Sequence, residues 1–218
     1  MYKYFIFDMD GTLVDTTNGI ITSLQRMQET MHKQILPEET LRKFIGPPLK
    51  ESFIKYYGVS MDETEEMARV YRECYLQVGI DKTKVFAGTL ELLAHIRTAG
   101  GKSAIATLKQ HQLATMTLMH TGIDTKVDYI ALHTDNSVGD KAAMICQCLE
   151  ALGCEDKRQA IMVGDSPYDG RASEQAGIGF LPMMDGEGFR NPKSLEGIPR
   201  VEIAENSLAL KQIICSMI

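Results

Sequence analysis

Short apolar runs that alternate with helical stretches constrain this chain more than any other feature. Tyr4–Phe7, Ser103–Thr107, Tyr129–Leu132, Ala160–Val163 and Ile178–Leu181 read as brief strands buried on both faces, and a last strand falls near Val201. Helical periodicity fills the gaps between them: Gly88–Thr98, closed by Gly100-Gly101, then Gln110–His120, Asp140–Leu152, Gly170–Ala176 and a closing helix from Ser207. Strands joined in this way pair in parallel through right-handed crossovers. The pattern predicts an α/β fold, a three-layer Rossmann-like sandwich with a parallel sheet core. After the first strand it is interrupted, because from about Asn18 onward only helices can be read: Asn18–His32, a start at Pro37-Glu38-Glu39-Thr40, Leu49–Tyr57 and Met61–Gln77. The predicted organisation is an α/β core of residues 1–15 and 83–218 with an inserted all-helical domain of residues 16–82.

The chain's 218 residues suffice for one sizeable core and a smaller companion. A net charge of −6, with no run of Lys and Arg, speaks against a nucleic-acid surface. A small phosphorylated metabolite stays compatible, since a local cation overrides the global sign. The five cysteines are odd in number and lack paired CxxC spacing, so they read as reduced thiols rather than ligands or disulfides. The N-terminus enters the first strand without a charged leader, and no stretch approaches ~18 apolar residues, which predicts a cytoplasmic chain that does not enter a membrane. Monomer and homodimer are equally compatible with the sequence.

In open parallel sheets, ligands bind beyond the carboxyl ends of the strands. The first strand runs into Asp8-Met9-Asp10-Gly11-Thr12, two carboxylates one residue apart. Like charges that close repel unless a cation or a shared proton offsets them, and a divalent metal does so economically. Gly11 permits a sharp turn with N–H groups facing an anion, and the Thr12 hydroxyl is positioned to hold the loop. The other strand ends supply Thr107, then Asp165 with Asp169, while Lys141 opens a helix. Hard oxygen ligands, an ammonium and a backbone nest are the parts phosphoryl transfer requires. Taken singly, Asp165 and Asp169 also read as helix caps or turn formers, and Lys141 as a surface lysine. The histidines His32, His95, His111, His120 and His133 have no partner spacing and read as surface or loop residues, and Glu63, Glu65 and Glu66 as a solvated helix face.

Asp8-Met9-Asp10-Gly11-Thr12, Thr107, Lys141 after Gly139-Asp140, and Gly164-Asp165-Ser166-Pro167-Tyr168-Asp169 resemble, in order, the four motifs of the haloacid dehalogenase-like hydrolases. The chain is most similar to their phosphoglycolate phosphatase-like branch. The helical interval then occupies the place of that branch's cap domain, and Phe44-Ile45-Gly46-Pro47-Pro48 resembles its cap loop, making Gly46 a substrate-binding candidate. The resemblance implies Asp8 as nucleophile and Asp10 as general acid and base. It implies Mg²⁺ held by Asp8, the Asp10 carbonyl and Asp165, with Asp169 acting through water or by orienting its neighbours. Thr107 and Lys141 would hold the phosphoryl oxygens, with Met9, Gly11, Thr12 and Leu108 around them. Leu108 stands where many relatives carry Asn. The implied activity is a Mg²⁺-dependent phosphatase of a small phosphate monoester; the alternatives are a phosphomutase of the same branch or a non-catalytic metabolite-sensing protein.

Overall fold

Strand β1 (Tyr4–Phe7) has neighbours on both edges, and Phe5, Ile6 and Phe7 are fully buried. The structure, a computed structural model, describes residues 1–133, 140–189 and 192–218, and divides into two compact units, Met1–Asp15 with Lys84–Ile218, and Thr16–Thr83. In the first unit β1 pairs in parallel with β4 (Lys102–Gln110) and β6 (Ala160–Gly164). β5 (Tyr129–His133) and β7 (Gly179–Pro182) complete a five-stranded parallel sheet of order β5-β4-β1-β6-β7. Two further strands, β2 (Val14–Asp15) and β3 (Lys84–Val85), form a short antiparallel ribbon where the chain leaves and re-enters this unit.

Side chains alternate across a strand, so Phe5 and Phe7 face one layer while Ile6 faces the other. The first layer holds α5 (Thr89–Thr98), α6 (His111–Thr121) and α9 (Ser207–Met217), through Leu92, Leu93, Ile96, Ala114, Leu118, Leu210 and Ile214. The second holds α7 (Lys141–Leu152) and α8 (Pro167–Ala176), through Ile145, Cys148, Leu149, Ala172 and Ala176 against Ile6, Ala104 and Met162. This is the expected three-layer α/β sandwich. Register brings Phe7 level with Ile105 and Val163, so the residues that follow these three positions lie together toward one edge of the sheet. Among the described residues no helix is long and apolar enough to cross a membrane.

Two of the strands expected from the sequence differ in the structure. The segment near Val201 is no strand: Val201 and Ala204 donate singly to the Phe180 and Pro182 carbonyls, and only Met183 and Ala204 form a bridge. Pro199 lacks an N–H and Val201 is 45% exposed, so neither a continuous ladder nor a buried face is available there. β4 runs past Thr107 to Gln110, with a register shift between those two residues.

The second unit is helical: α1 (Thr17–Thr30), the single turn α2 (Glu38–Leu41), α3 (Leu49–Tyr57) and α4 (Met61–Cys74). α4 starts in a capping box in which Ser60 and Glu63 satisfy each other's backbone N–H groups. Its buried stripe is Met67, Val70, Tyr71 and Cys74, and Phe44, Phe53, Tyr56 and Tyr57 form an aromatic cluster with centroids 5.2–6.2 Å apart. Glu63, Glu65 and Glu66 lie exposed in ion pairs with Lys33, Lys50 and Arg69, which contribute little stability in water. The helix expected to reach Gln77 instead ends at Cys74, and a wider π-type turn takes Tyr75–Gly79. The reason is a close approach: a Cβ on Gly19 would overlap the Gly79 carbonyl, so the turn lets two backbones touch where α1 begins. Gly19→Ala should therefore lower the melting temperature by an amount equivalent to about 1–3 kcal/mol of overpacking. Helix propensity alone favours alanine by about 0.5–1 kcal/mol, so an unchanged or higher melting temperature would contradict the contact.

Candidate active site

Asp8 follows β1 directly, its N–H still bonded to the Val163 carbonyl at 2.8 Å. The loop beyond it closes on Met9, whose carbonyl accepts from Thr12, Leu13 and Val14 at 3.0–3.3 Å while its side chain is buried in the core. Gly11 turns this loop at φ +79°, and a Cβ there would overlap the Asp165 carboxylate. Only glycine meets both demands. The Thr12 hydroxyl is buried and has no hydrogen-bond partner among the described residues, so it does not hold the loop as the sequence suggested.

Asp165 follows β6 after Gly164, and Ser166 caps α8. The cap is thus Ser166, not Asp165: Ser166 Oγ lies 2.6 Å from Asp169 Oδ2, and the Ser166 N–H donates to the same oxygen at 3.1 Å. The Asp165 side chain is left to face Asp8. Gly188 N–H donates to Asp165 Oδ2 at 3.1 Å, and a Cβ on Gly186 would also overlap that carboxylate. Asp8, Asp165 and Asp169 are all buried, with one carboxylate oxygen of each within 4.8 Å of the others.

Lys141 stands at the first position of α7, whose cap Asp140 accepts from the Ala142 and Ala143 N–H groups. Gly139, which precedes it in the motif, lies outside the described residues, as does the side chain of His133. Lys141 Nζ reaches Asp8 Oδ1 at 2.5 Å and Asp169 Oδ1 at 2.9 Å, so one ammonium serves two carboxylates. Burial pushes the Asp8 carboxyl up to about 7, against the lowering influence of Lys141 and with Asp169 and Asp10 adding to the rise. Burial also raises Asp165 well above the carboxylate range, with Asp169 and Asp8 contributing. Burial disfavours the charged form of Lys141, but Asp169 and Asp8 outweigh it and hold the ammonium protonated. Three buried carboxylates lie around one ammonium that bonds two of them, and burial, aided by their mutual repulsion, raises Asp8 and Asp165. Clustered oxygens short of positive charge fit a hard divalent cation.

Thr107 is buried near the end of β4, and its hydroxyl accepts from the Lys109 N–H at 3.2 Å; Leu108 packs partly buried against the second helical layer. Asp10 is separate from the carboxylate trio, its two oxygens 3.0 and 3.3 Å from Lys109 Nζ. Lys109 lies beyond Thr107, where the apolar pattern of the sequence ends the strand, and so carries no mark as a site residue there. A basic residue two positions past a strand-end threonine was the available signal. Ser166-Pro167-Tyr168-Asp169 was readable too, as the spacing of a capping box with proline at the first turn. Gly186 and Gly188 carried no chemical signal. His32, His95, His111 and His120 are exposed. Gly46 belongs to the helical unit, where it turns the chain at φ +98° with open space at its Cα.

A family model described as haloacid dehalogenase-like hydrolase matches residues 5–182, spanning every one of these strand ends. This chain belongs to the haloacid dehalogenase-like hydrolases. Its relatives include the tyrosine-protein kinase PtkA of Mycobacterium tuberculosis, 33% identical over 174 residues, and the pyrophosphatase PpaX of Bacillus velezensis, also 33% identical over 174 residues. These alignments take in 79% of this chain, but 59% of the length of the mycobacterial relative and 78% of the bacillar one. A solved haloacid dehalogenase-like family hydrolase from Streptococcus pneumoniae superposes with a TM-score of 0.86 at 27% identity, covering 98% of each chain. The fold, the family and a buried acidic cluster suited to a metal agree in marking a haloacid dehalogenase-like hydrolase.

The electrostatics predict an unusual stability profile for protein stripped of divalent ions with EDTA. An unfolded Asp8 ionises near its ordinary 3.8, whereas the folded one keeps its proton up to about 7. Between those values the folded state binds more protons, so its stability falls as pH rises through the window. Asp8→Asn removes that cost, and Lys141 still has Asp169 as partner. The variant should gain melting temperature over wild type at pH 7.5 by more than it does at pH 5. Thermal unfolding curves whose difference does not change with pH would contradict the raised Asp8.

Proposed function

We propose that this chain is a Mg²⁺-dependent phosphatase that hydrolyses small phosphate monoesters through an aspartyl-phosphate on Asp8, and that the helical unit, with Gly46, serves as its cap domain. The observation that carries this reading is the buried trio Asp8, Asp165 and Asp169 with Lys141 bonded to two of its members. Asp8, the Asp10 carbonyl and Asp165 would hold the ion, and Asp169, its oxygens engaged by Ser166 and Lys141, would orient them. When bound, Mg²⁺ supplies positive charge against the phosphoryl oxygens.

The chain's own groups perform the proton and bond changes. An Asp8 carboxylate oxygen forms a bond to phosphorus as the bond from phosphorus to the leaving oxygen breaks, and a proton passes from Asp10 to that oxygen. Water then attacks the aspartyl-phosphate, Asp10 takes its proton, and the Asp8 oxygen is released with its carboxylate restored. Lys141 and the Thr107 hydroxyl, with N–H groups of Met9, Asp10 and Leu108, would spread the charge of the transferring oxygens. Relatives named as a kinase and as a pyrophosphatase support this reading, because both names denote transfer of a phosphoryl group.

Phosphate release from a panel of sugar phosphates, nucleoside monophosphates, phosphoglycolate and pyrophosphate, each with Mg²⁺ or EDTA, tests the proposal. Activity should appear with Mg²⁺ on at least one ester and vanish in Asp8→Asn; normal turnover by that variant would remove Asp8 as nucleophile. Asp165→Asn should weaken Mg²⁺ binding measured directly by calorimetry, by about 10-fold or more if it is a ligand. An unaltered binding isotherm would place the ion elsewhere.

A further inference from the structure

We infer that Lys109 is the positioning residue for Asp10, fixing the carboxylate that moves the proton; the inference rests on the acid–base reading of Asp10. Three observations point to this. Lys109 Nζ contacts both Asp10 oxygens, at 3.0 and 3.3 Å, which restrains the carboxylate's rotation as well as its place. The Lys109 side chain is only 8% exposed while the Asp10 side chain is 23% exposed, so the contact anchors the acid from the protein side and leaves it an open face. Finally, the backbone is shaped to make the contact. β4 loses register with β5 between Thr107 and Gln110, and Thr107 Oγ1 accepts from the Lys109 N–H at 3.2 Å. An irregularity of this kind re-aims a side chain that a regular strand would send elsewhere.

The arrangement also offsets part of the repulsion between two acids one residue apart. Lys141 is bonded to Asp8 and Lys109 to Asp10, so each acid of the motif has its own ammonium. The two roles stay separate: Lys141 lies among the carboxylates around the nucleophile, and Lys109 holds the group that serves the leaving oxygen. A carboxylate free to rotate would present a proton to that oxygen only part of the time, and small losses of alignment cost large factors in rate.

Leaving-group dependence separates this role from others. An alkyl phosphate such as glycerol 2-phosphate needs its departing alkoxide protonated, whereas p-nitrophenolate departs unaided. In Lys109→Met, kcat/KM for glycerol 2-phosphate should fall about 10- to 100-fold, while kcat/KM for p-nitrophenyl phosphate stays near wild type. With p-nitrophenyl phosphate kcat should nonetheless fall and a burst of p-nitrophenolate appear, because hydrolysis of the intermediate still needs Asp10 as base. Lys109→Arg, which keeps a cation with several donors, should recover part of the glycerol 2-phosphate activity. In an Asp10→Asn background, Lys109→Met should have no further effect, as expected of two groups acting as one unit. Equal loss of kcat/KM on both substrates, additivity with Asp10→Asn, or no recovery by Lys109→Arg would each overturn the assignment. If Asp10→Asn alone leaves glycerol 2-phosphate turnover intact, the acid–base reading of Asp10 itself fails, and this inference with it.

Discussion

A single ammonium group between two buried carboxylates holds this site together. Without Lys141, three buried acids, Asp8 and Asp165 at strand ends and Asp169 in the first turn of α8, would face one another with that ammonium's compensation removed. With it, the cluster is tolerable but still short of positive charge, as the raised Asp8 and Asp165 testify. A site in that condition is prepared for a cation, because the ion relieves a strain that folding has already imposed. Stability and metal affinity are therefore linked: what the fold loses by collecting these acids returns as binding energy.

The sheet is what makes the collection possible. Phe7, Ile105 and Val163 lie level in register, so Asp8, Thr107 and Asp165 emerge together although about a hundred and fifty residues separate the first from the last. Glycine does the finer work. Gly11 and Gly186 place bare backbone against the Asp165 carboxylate, and Gly188 donates an N–H to it. The acid is gripped by main chain, which moves less than any side chain that could have been put there.

The layered fold was legible because apolar runs such as Tyr4–Phe7 and Ala160–Val163, too short for helices, recur with helical stretches between them. The clustered acids were legible because charge at the end of a buried strand has few explanations. What escaped was everything set by irregular backbone. Lys109 reaches Asp10 through a register shift that leaves no trace in composition or periodicity. The turn at Tyr75–Gly79 replaces a helix whose pattern would have continued, because a contact with Gly19 far back in the chain overrides local preference. Near Val201 the error ran the other way: a few apolar residues looked like a strand, while Pro199 and exposure prevented a ladder. Ser166 differs in kind, since its spacing to Asp169 is that of a capping box and stands in the sequence itself.

The two-stranded ribbon bears on how such a chain could have arisen. Asp15 and Lys84 face each other in its antiparallel register, so the residues bounding the helical unit are already neighbours. A tight hairpin turn could join them and leave the sheet, its crossovers and every strand-end residue in their order. The helical unit is thus topologically an ornament on a loop. Lineages sharing this core could exchange, enlarge or discard it without refolding the sheet or displacing the residues at its strand ends.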